Sequence, residues 1–265
     1  MQVTETQNEG LKRKLSLTIP AQDLVSRLNA KLDELRGYRR LVDNMRQSPN
    51  FLLREYMAQP GYDIPARDSE RQSSGPRLVL FTDYECPACK CAARSAERKI
   101  AKDFGGRLDI AIRHYPLCSA CNDGVKKAFH PNACDAARAA EAARRLGGED
   151  AFHRMTERLF EHRSHLGGPL YSKLAAQIGL DPDRFIAEME GPVVREIVQG
   201  DVALARRLGV TGTPAMFLDG RRITELCQTP VFWQAVARQS RASGEPSVVS
   251  GRRLTDNPSN SSEQD

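Results

Sequence analysis

Apolar residues are spaced differently in successive parts of this chain, and each spacing predicts a different kind of element. From Gln22 onward they recur every three or four residues, which predicts a long helix. The positions are Leu24, Leu28, Leu32, Leu35, Tyr38, Val42 and Met45. Their average spacing of about 3.5 residues is the period of a coiled-coil seam. Two interpretations stay open: an amphipathic helix packed on its own domain, or a helix that mediates dimerisation or acts as a spacer.

The pattern then changes from helical to extended. A short helix is expected over residues 51–57, and a polar connector follows from Asp63 to Pro76. Leu78 to Phe81 form a short, wholly apolar run, which predicts a strand buried on both faces. A helix with apolar residues at helical spacing comes next and is expected to stop near Gly105-Gly106. Leu108 to Tyr115 then alternate apolar and polar residues, as a strand does.

The second half of the chain is mainly helical. Residues 133–208 are predicted to be almost wholly helical, interrupted by glycine and proline stops. An apolar strand follows Pro214, Asp219-Gly220 predicts a hairpin turn, and Thr229-Pro230 predicts the start of a last helix. These predictions divide the chain into a disordered tail (1–20), a helical segment and linker (21–75), an α/β domain (76–241) with a helical insert at about 122–208, and a second disordered tail (242–265).

Composition is that of an ordinary soluble globular protein. The 265 residues are 40% hydrophobic and 28% charged, with a net charge of +5. There is no basic run interleaved with aromatic residues, so nucleic-acid binding is not expected. Seven cysteines indicate an oxidising compartment. We therefore expect a periplasmic or extracytoplasmic location, with the cytoplasm as the alternative. Because no apolar signal segment or membrane span is visible, this location implies that the start is trimmed or misassigned.

Two cysteines follow the buried strand, in the segment Cys86-Pro87-Ala88-Cys89. Proline is tolerated at the first position of a helix, so Cys86 is predicted to be the N-cap and Cys89 to share its helix face. A thiolate at a helix N-terminus is stabilised by the helix dipole and by free N–H groups, which lowers its pKa and makes it nucleophilic. A Cys-x-x-Cys pair also suits zinc, but the strand before it and the helix after it favour redox chemistry.

Charged residues flank this pair of cysteines. Lys90 is expected to support the thiolate, whereas Asp83 and Glu85 oppose it. The two acids are expected to be well solvated, so that the helix terminus and Lys90 prevail. His114 ends the second predicted strand; it is either a proton donor or acceptor near the thiols or a surface residue, and we prefer the surface interpretation.

The strand, the two cysteines and the segment Gly209-Val210-Thr211-Gly212-Thr213-Pro214-Ala215-Met216-Phe217-Leu218-Asp219-Gly220 resemble the thioredoxin superfamily, in particular its disulfide oxidoreductases of the DsbA type. Residues 114–122 and 130–143 more narrowly resemble thioredoxin domains attached to bacterial vitamin K epoxide reductase-like membrane proteins. The resemblance covers about residues 76–240. It implies a thioredoxin fold with a helical insertion and a cis Thr213-Pro214 bond that faces the cysteines. From the residues alone, this proline could equally be trans at a strand edge.

The remaining cysteines admit several pairings. Four residues have a spacing that would suit a small zinc site: Cys118, Cys121, His130 and Cys134. The resemblance instead implies a structural disulfide between Cys121 and Cys134. Cys118 could then pair with Cys121 as an alternative, with Cys91, or with nothing. An odd number of cysteines leaves at least one without an intramolecular partner, and we predict that Cys227 is a free buried thiol.

The predicted function is thiol–disulfide exchange with protein substrates, without a cofactor or a metal. Cys86 would form the mixed disulfide and Cys89 would resolve it. The resemblance implies that Thr213 and Pro214 present backbone to the substrate.

Two departures from the DsbA pattern affect the expected strength of the site. Pro87 and Ala88 stand where some DsbA enzymes carry a histidine, so a milder oxidant is expected. Leu80 stands where some relatives place a buried acid, which leaves the proton acceptor for Cys89 open.

Three alternatives to this function stay open. The first is a disulfide isomerase that forms a homodimer through the amino-terminal helix. The second is an extracytoplasmic partner of a quinone-linked membrane oxidase. The third is a zinc-stabilised binding or chaperone module in which the cysteines are ligands.

Overall fold

The computed structural model describes residues 21–67, 75–225 and 228–243. The predicted amino-terminal tail, all but the first two residues of the predicted carboxy-terminal tail, and Cys227 lie outside these ranges. The chain divides into two compact units, Met1–Phe51 and Leu52–Asp265. Within the described ranges, no helix combines the length and the apolar character that crossing a membrane requires.

The first unit is built around one long helix, α1 (Ala21–Arg46), which begins within one residue of the predicted start. Exposed ion pairs join Lys31 to Glu34 and Asp33 to Arg36 along its polar side. The predicted apolar seam is present, but its side chains are between 44% exposed at Val42 and 58% exposed at Tyr38.

The second unit is organised around a mixed four-stranded sheet in the order β2-β1-β3-β4. The strands are β1 (Arg77–Thr82), β2 (Asp109–His114), β3 (Ala215–Leu218) and β4 (Arg221–Arg222). β1 pairs in parallel with β2 and antiparallel with β3. The four apolar side chains from Leu78 to Phe81 are at most 1% exposed. β1 is therefore an inner strand buried on both faces, as its continuous apolar run predicts.

A parallel strand pair needs a crossover connection, and a helical segment supplies it between β1 and β2. The segment consists of α3 (Pro87–Ser95), a π-helical turn (Ala96–Ile100) and a last turn, α4 (Ala101–Asp103). It ends just before Gly105 and Gly106, whose φ angles of 62° and 77° are left-handed. The glycine pair thus stops the helix where the sequence predicts it.

The fully described segment between β2 and β3 contains four helices. They are α5 (Ala133–Glu161), α6 (Leu170–Gln177), α7 (Pro182–Met189) and α8 (Pro192–Arg207). Their breaks follow the predicted signals: Gly148 leaves helical geometry with φ 71° and ψ −165°, and Asp181 caps α7 by accepting a hydrogen bond from Arg184 N–H at 2.8 Å. Regular helix starts at Ala133, as predicted, and residues 122–132 of the predicted insert form a turn-rich loop.

The second unit begins earlier than the boundary at residue 76 that the sequence predicts. Helix α2 (Pro49–Met57) buries Tyr56, whose hydroxyl donates to the Leu218 carbonyl at 2.7 Å. Tyr62 N–H donates to the Gly220 carbonyl at 3.0 Å, and Ile64 joins the core cluster around β1. The sequence of this segment is polar because few of its side chains are apolar. Its contact with the sheet depends in part on main-chain hydrogen bonds, which side-chain polarity does not report.

A hairpin and a helix form the last part of the chain that the structure describes. Asp219 and Gly220 both have positive φ, 45° and 76°, which is the geometry of a type I′ turn between β3 and β4. A Cβ on Gly220 would lie 2.0 Å from the Tyr62 carbonyl oxygen, so only glycine fits this turn. Helix α9 (Pro230–Ser243) follows, with the Thr229 hydroxyl accepting from Phe232 N–H at 3.2 Å.

Candidate active site

The turn between β1 and α3 brings two cysteine sulfurs together. Cys86 is the N-cap of α3 with φ −74° and ψ 119°, and Pro87 is the first helical residue. Cys89 N–H donates a hydrogen bond to Cys86 Sγ at 3.4 Å. Cys86 is 6% exposed, whereas Cys89 has no exposed surface. Only the first sulfur can therefore be reached by another molecule without opening the fold.

Hydrogen bonding and burial hold the two sulfurs in opposite protonation states. A hydrogen bond with the Cys89 side chain is the main cause that lowers the pKa of Cys86 to about 6; burial opposes it, and N–H groups of Cys89 and Ala88 reinforce it. Burial is the main cause that raises the pKa of Cys89 far above its ordinary value, and its bond to Cys86 adds to the rise. At neutral pH the pair is therefore a Cys86 thiolate beside a Cys89 thiol.

The loop that leads into β3 lies next to Cys86. The peptide bond between Thr213 and Pro214 is cis, and Cys86 Sγ lies 3.6 Å from the Thr213 carbonyl oxygen. Thr213 and Pro214 are half-buried, whereas Pro87 and Ala88 are exposed at the start of α3. The structure thus brings the predicted cysteines and the predicted proline loop together at one surface.

The two acids that precede Cys86 lie in a different environment from the predicted one. Asp83 is 1% exposed, so the prediction of a solvated acid is wrong. Its carboxylate accepts hydrogen bonds from Glu85 N–H at 2.8 Å and Leu117 N–H at 2.7 Å, and it lies 3.0 Å from His130 Nδ1. Asp83 therefore receives hydrogen bonds both from its own turn and from the loop after β2, and residue spacing near the cysteines could not reveal the second contact.

Glu85 is also directed towards that loop. Its carboxylate accepts from Asn132 N–H at 2.8 Å and from the Asn132 side-chain amide at 3.1 Å. Lys90, expected to stabilise the thiolate, is half-buried and is not among the main causes of the Cys86 pKa shift. Local hydrogen bonds, rather than these flanking charges, set the state of Cys86.

The other described cysteines lie in the loop after β2, in the first turn of α5 and on α3. A disulfide joins Cys121 to Cys134, with a Cα–Cα distance of 6.0 Å. Cys118 is a free buried thiol in the same cluster, and Cys91 is a free exposed thiol on α3. With two of its four candidate ligands bonded to each other, the predicted zinc set does not form in this arrangement.

His114 is buried, so the predicted surface position is wrong. Its Nε2 lies 2.7 Å from Glu141 Oε1, and its backbone N–H donates to Asp201 Oδ2 at 2.8 Å. The alternation of polar residues along β2 suggested a solvent face. In the fold, α5 and α8 supply the carboxylates that bury this end of the strand.

Three arginines complete a buried ionic network around these two carboxylates. Arg67 lies 2.8 Å from Glu141 and 2.5 Å from Asp201, Arg113 lies 3.2 Å from Asp201, and Arg144 lies 2.8 Å from Glu141. Burial alone would raise the pKa of Glu141, but His114 and the arginines hold it well below its ordinary value. Residue spacing alone did not predict this network; a glutamate within the alanine-rich run 136–143 was the available signal.

One group among the described residues has the spacing of metal ligands: ligand atoms of His114, Glu141 and Asp201 lie within 4.8 Å of one another. The guanidinium groups of Arg67, Arg113 and Arg144 already neutralise the two carboxylates. A divalent cation would have to share this site with three positive charges. The donor set therefore suits an ion-pair network better than a metal centre.

Comparison with known proteins gives three kinds of similarity. A family model described as a DSBA-like thioredoxin domain matches residues 77–237. The Na(+)/H(+) antiporter NhaA of Herminiimonas arsenicoxydans is 34% identical over 146 residues, which are 55% of this chain and 21% of the antiporter. The Trigger factor of Bartonella tribocorum is 56% identical over 41 residues, which are 16% of this chain and 9% of that protein.

Among solved structures, the oxidised form of BdbD from Bacillus subtilis matches with a TM-score of 0.52 and 19% identity, covering 69% of this chain and 97% of BdbD. That likeness concerns the fold. The chain spans about a fifth of the length of the antiporter that it matches and less than a tenth of the Trigger factor.

Proposed function

Because the chain belongs to the family of DsbA-like thioredoxin domains, we propose that it is a thiol–disulfide oxidoreductase that acts on proteins through Cys86 and Cys89. The observation that carries the proposal is the geometry of the two sulfurs at the start of α3: Cys86 Sγ accepts a hydrogen bond from Cys89 N–H, and Cys86 is the member of the pair with exposed surface. An accessible sulfur with a pKa lowered to about 6 is poised as nucleophile and leaving group, and a buried neighbour is kept as a thiol.

In the oxidising direction, the reaction starts from a Cys86–Cys89 disulfide. A substrate thiolate attacks Cys86 Sγ, a bond forms between the two sulfurs, and the Cys86–Cys89 bond breaks. Cys89 leaves as a thiolate and takes up a proton, which its buried position strongly favours. The product of this step is a mixed disulfide between the substrate and Cys86.

The second step releases the oxidised substrate. Another substrate thiolate attacks the substrate sulfur of the mixed disulfide, and Cys86 departs as a thiolate. Two electrons have then passed from the substrate dithiol to the cysteine pair. The hydrogen bonds that stabilise the Cys86 thiolate make it a good leaving group, so they favour substrate oxidation over reduction.

The substrate is proposed to be an extended segment of another protein. Thr213 and Pro214 are half-buried beside Cys86, and the Thr213 carbonyl is 3.6 Å from its sulfur. A main-chain carbonyl at that distance can align the backbone of a peptide whose cysteine reacts. Contacts of this kind do not depend on the substrate's side chains, which suits an enzyme that oxidises many proteins.

The disulfide between Cys121 and Cys134 supports an oxidising compartment, and we place the protein outside the cytoplasm. There the reduced Cys86–Cys89 pair needs an electron acceptor. A quinone-linked membrane oxidase is our candidate, supported by the resemblance of residues 114–122 and 130–143 to domains attached to vitamin K epoxide reductase-like membrane proteins. We do not propose antiporter activity for this chain, because its match covers 21% of the NhaA antiporter.

Partner trapping tests the proposed roles. The Cys89→Ala variant, reduced and mixed with a synthetic peptide disulfide, should accumulate a mixed disulfide on Cys86, because no second sulfur can resolve it. The matched control Cys91→Ala removes a neighbouring exposed thiol and should release the reduced peptide without a lasting adduct. A Cys89→Ala protein that forms no adduct, or forms it at another cysteine, would refute the assignment.

A disulfide isomerase remains the second candidate, because the apolar seam of α1 is exposed. A homodimer through α1 would cover this seam and join two Cys86–Cys89 sites in one molecule. Isomerisation needs a reduced Cys86 as the resting state, whereas oxidation needs the disulfide. The redox state of the pair at equilibrium therefore separates the two functions.

A further inference from the structure

Three cysteines, rather than two, lie together where the loop after β2 meets the start of α5. Cys118, Cys134 and Ala133 form one buried cluster, with the half-buried Cys121 packed against it. Cys134 Sγ lies 3.8 Å from the carbonyl oxygen of Cys118. The residue Cys118, whose free thiol lies 3.8 Å from the Pro131 carbonyl oxygen, therefore belongs to the same cluster as the Cys121–Cys134 disulfide.

The backbone between Cys118 and Cys121 suits a bond between these two residues. Cys121 N–H and Asn122 N–H both donate to the Cys118 carbonyl, at 3.4 and 3.1 Å. A hydrogen bond from residue i+3 to residue i closes a turn whose end Cα atoms are less than about 7 Å apart. Cysteines joined by a disulfide span about 4.4–6.8 Å between Cα atoms, so this turn brings Cys118 and Cys121 into bonding range.

The position of Cys134 favours its departure from the existing disulfide. Cys134 is the second residue of α5, a helix of 29 residues. A thiolate in the first turn of a helix is stabilised by the helix dipole and by unpaired N–H groups. Of the two sulfurs in the Cys121–Cys134 bond, Cys134 is thus the better leaving group, and attack is directed to Cys121.

We propose that Cys118, Cys121 and Cys134 form a second thiol–disulfide exchange site. The Cys118 thiolate attacks Cys121 Sγ, the Cys118–Cys121 bond forms, and the Cys121–Cys134 bond breaks. Cys134 carries away the electron pair and takes up the proton that Cys118 lost. The step is an isomerisation, so it needs no external oxidant or reductant and does not depend on the function proposed for Cys86 and Cys89.

This exchange would alter the hydrogen bonds of the turn before Cys86. Leu117, next to Cys118, donates its N–H to Asp83, and Asn132, two residues before Cys134, donates to Glu85. Both contacts come from residues within two positions of the cysteines between which the bond moves. The site therefore links the redox state of the loop to the hydrogen bonding of the Asp83–Glu85 turn.

Alkylation of the intact oxidised protein, without reductant, tests the exchange. Trypsin cuts after Arg113, Lys126, Lys127 and Arg138, which places Cys118 and Cys121 in one peptide and Cys134 in another. The existing disulfide links the two peptides. After exchange, iodoacetamide traps Cys134, the peptides separate, and peptide 114–126 is lighter by two hydrogen atoms because it contains a Cys118–Cys121 bond.

We expect the separated, Cys134-alkylated peptide to form at least about tenfold faster in the wild-type protein than in Cys118→Ser, and faster at higher pH because the thiolate attacks. Cys118→Ala serves as a second variant, with circular dichroism to confirm that each is folded. Cys91→Ser is the matched control and should react like the wild type. Linked peptides alkylated only at Cys118, or equal rates in wild type and folded Cys118 variants, would overturn the proposal.

Discussion

At the level of single residues, Cys86 and Cys89 differ because one receives hydrogen bonds and the other is buried. The hydrogen bond with the Cys89 side chain is the largest single cause of the low pKa of Cys86. Cys89 stays a neutral thiol at neutral pH, because burial disfavours its charged form and raises its pKa. Each sulfur therefore depends on the other for its role.

Removing the Cys89 thiol should raise the pKa of Cys86. A hydrogen bond to a charged group contributes about 1.5–3 kcal/mol. One pKa unit corresponds to about 1.36 kcal/mol, so we expect a rise of about one to two units in Cys89→Ala. Thiolate absorbance against pH measures the shift, and Cys91→Ala is the control that should leave it unchanged. An unaltered titration of Cys86 in Cys89→Ala would show that another group stabilises the thiolate.

The ionisation of Cys86 also predicts a pH dependence of stability. Its pKa falls from an ordinary 9.0 to about 6 on folding, so the contribution of the thiolate is complete above 9 and is lost as pH falls towards 6. The reduced protein should therefore lose stability relative to the disulfide form between pH 9 and pH 6. Urea unfolding of both forms gives the unfolding free energy of the reduced form minus that of the disulfide form. A value that stays constant or rises as pH falls from 9 to 6 contradicts the shift.

Residue environments were predictable where the signal is local. The N-cap position of Cys86 follows from Pro87 and the preceding strand, because both lie within a few residues. The burial of Asp83 was not predictable, since its donor Leu117 is 34 residues away in the sequence. His114 was misplaced for the same reason: its partner Glu141 belongs to a helix 27 residues further on.

At the level of elements, the buried ionic network ties four parts of the chain together. Arg67 from the connector, Arg113 and His114 from β2, Glu141 from α5 and Asp201 from α8 meet at this point. Each carboxylate receives donors from more than one element, so the network fixes the helical insertion against the sheet. Its members are costly to bury singly and stable only as a set.

Glu141→Gln should destabilise the protein by about 3–5 kcal/mol, because it leaves buried cations without their charge partner. The pKa of Glu141 is held well below its ordinary 4.5, so the unfolded chain takes up a proton first as pH falls. The contribution of Glu141 to the free energy of unfolding is therefore present at neutral pH and is lost progressively below about pH 4.5. In Glu141→Gln this pH-dependent contribution should be absent.

Chemical unfolding at several pH values measures both effects. The control is Glu157→Gln, an exposed carboxylate on the same helix, which should change stability little. A Glu141→Gln protein as stable as the wild type would show that the network contributes little to folding.

Most elements could be predicted because their signals are periodic and local. The breaks at Gly148 and Asp181-Pro182 and the hairpin at Asp219-Gly220 match residues with restricted backbone preferences. The attachment of residues 52–67 could not be predicted, since it depends on hydrogen bonds from Tyr56 and Tyr62 to the carbonyls of Leu218 and Gly220, more than 150 residues away.

At the level of the whole molecule, α1 is the element that the proposed chemistry leaves without a role. Its seam has the average spacing of a coiled coil, and its apolar side chains are about half exposed. A second copy of α1 is the occupant that this spacing suits, which makes the homodimer a proposal of its own.

Sedimentation of the full chain tests the dimer. Replacing Leu28 and Leu35 by glutamate removes from each subunit two leucines that the dimer would bury, at about 1.5–3 kcal/mol each. The dimer dissociation constant should therefore rise by at least about a hundredfold. Asp33→Ala, on the polar side of the same helix, should leave it unchanged. A wild-type chain that sediments as a monomer at micromolar concentration excludes the dimer.

Equilibration in glutathione buffers tests the central claim most directly. After acid quenching and alkylation, trypsin releases peptide 78–90, which contains Cys86 and Cys89 but not Cys91. We predict reversible loss of two hydrogen atoms from this peptide, with a midpoint more reducing than about −120 mV, the value of the strongly oxidising DsbA. A peptide that stays fully reduced across the glutathione range, or that changes only when a metal is removed, would contradict the account.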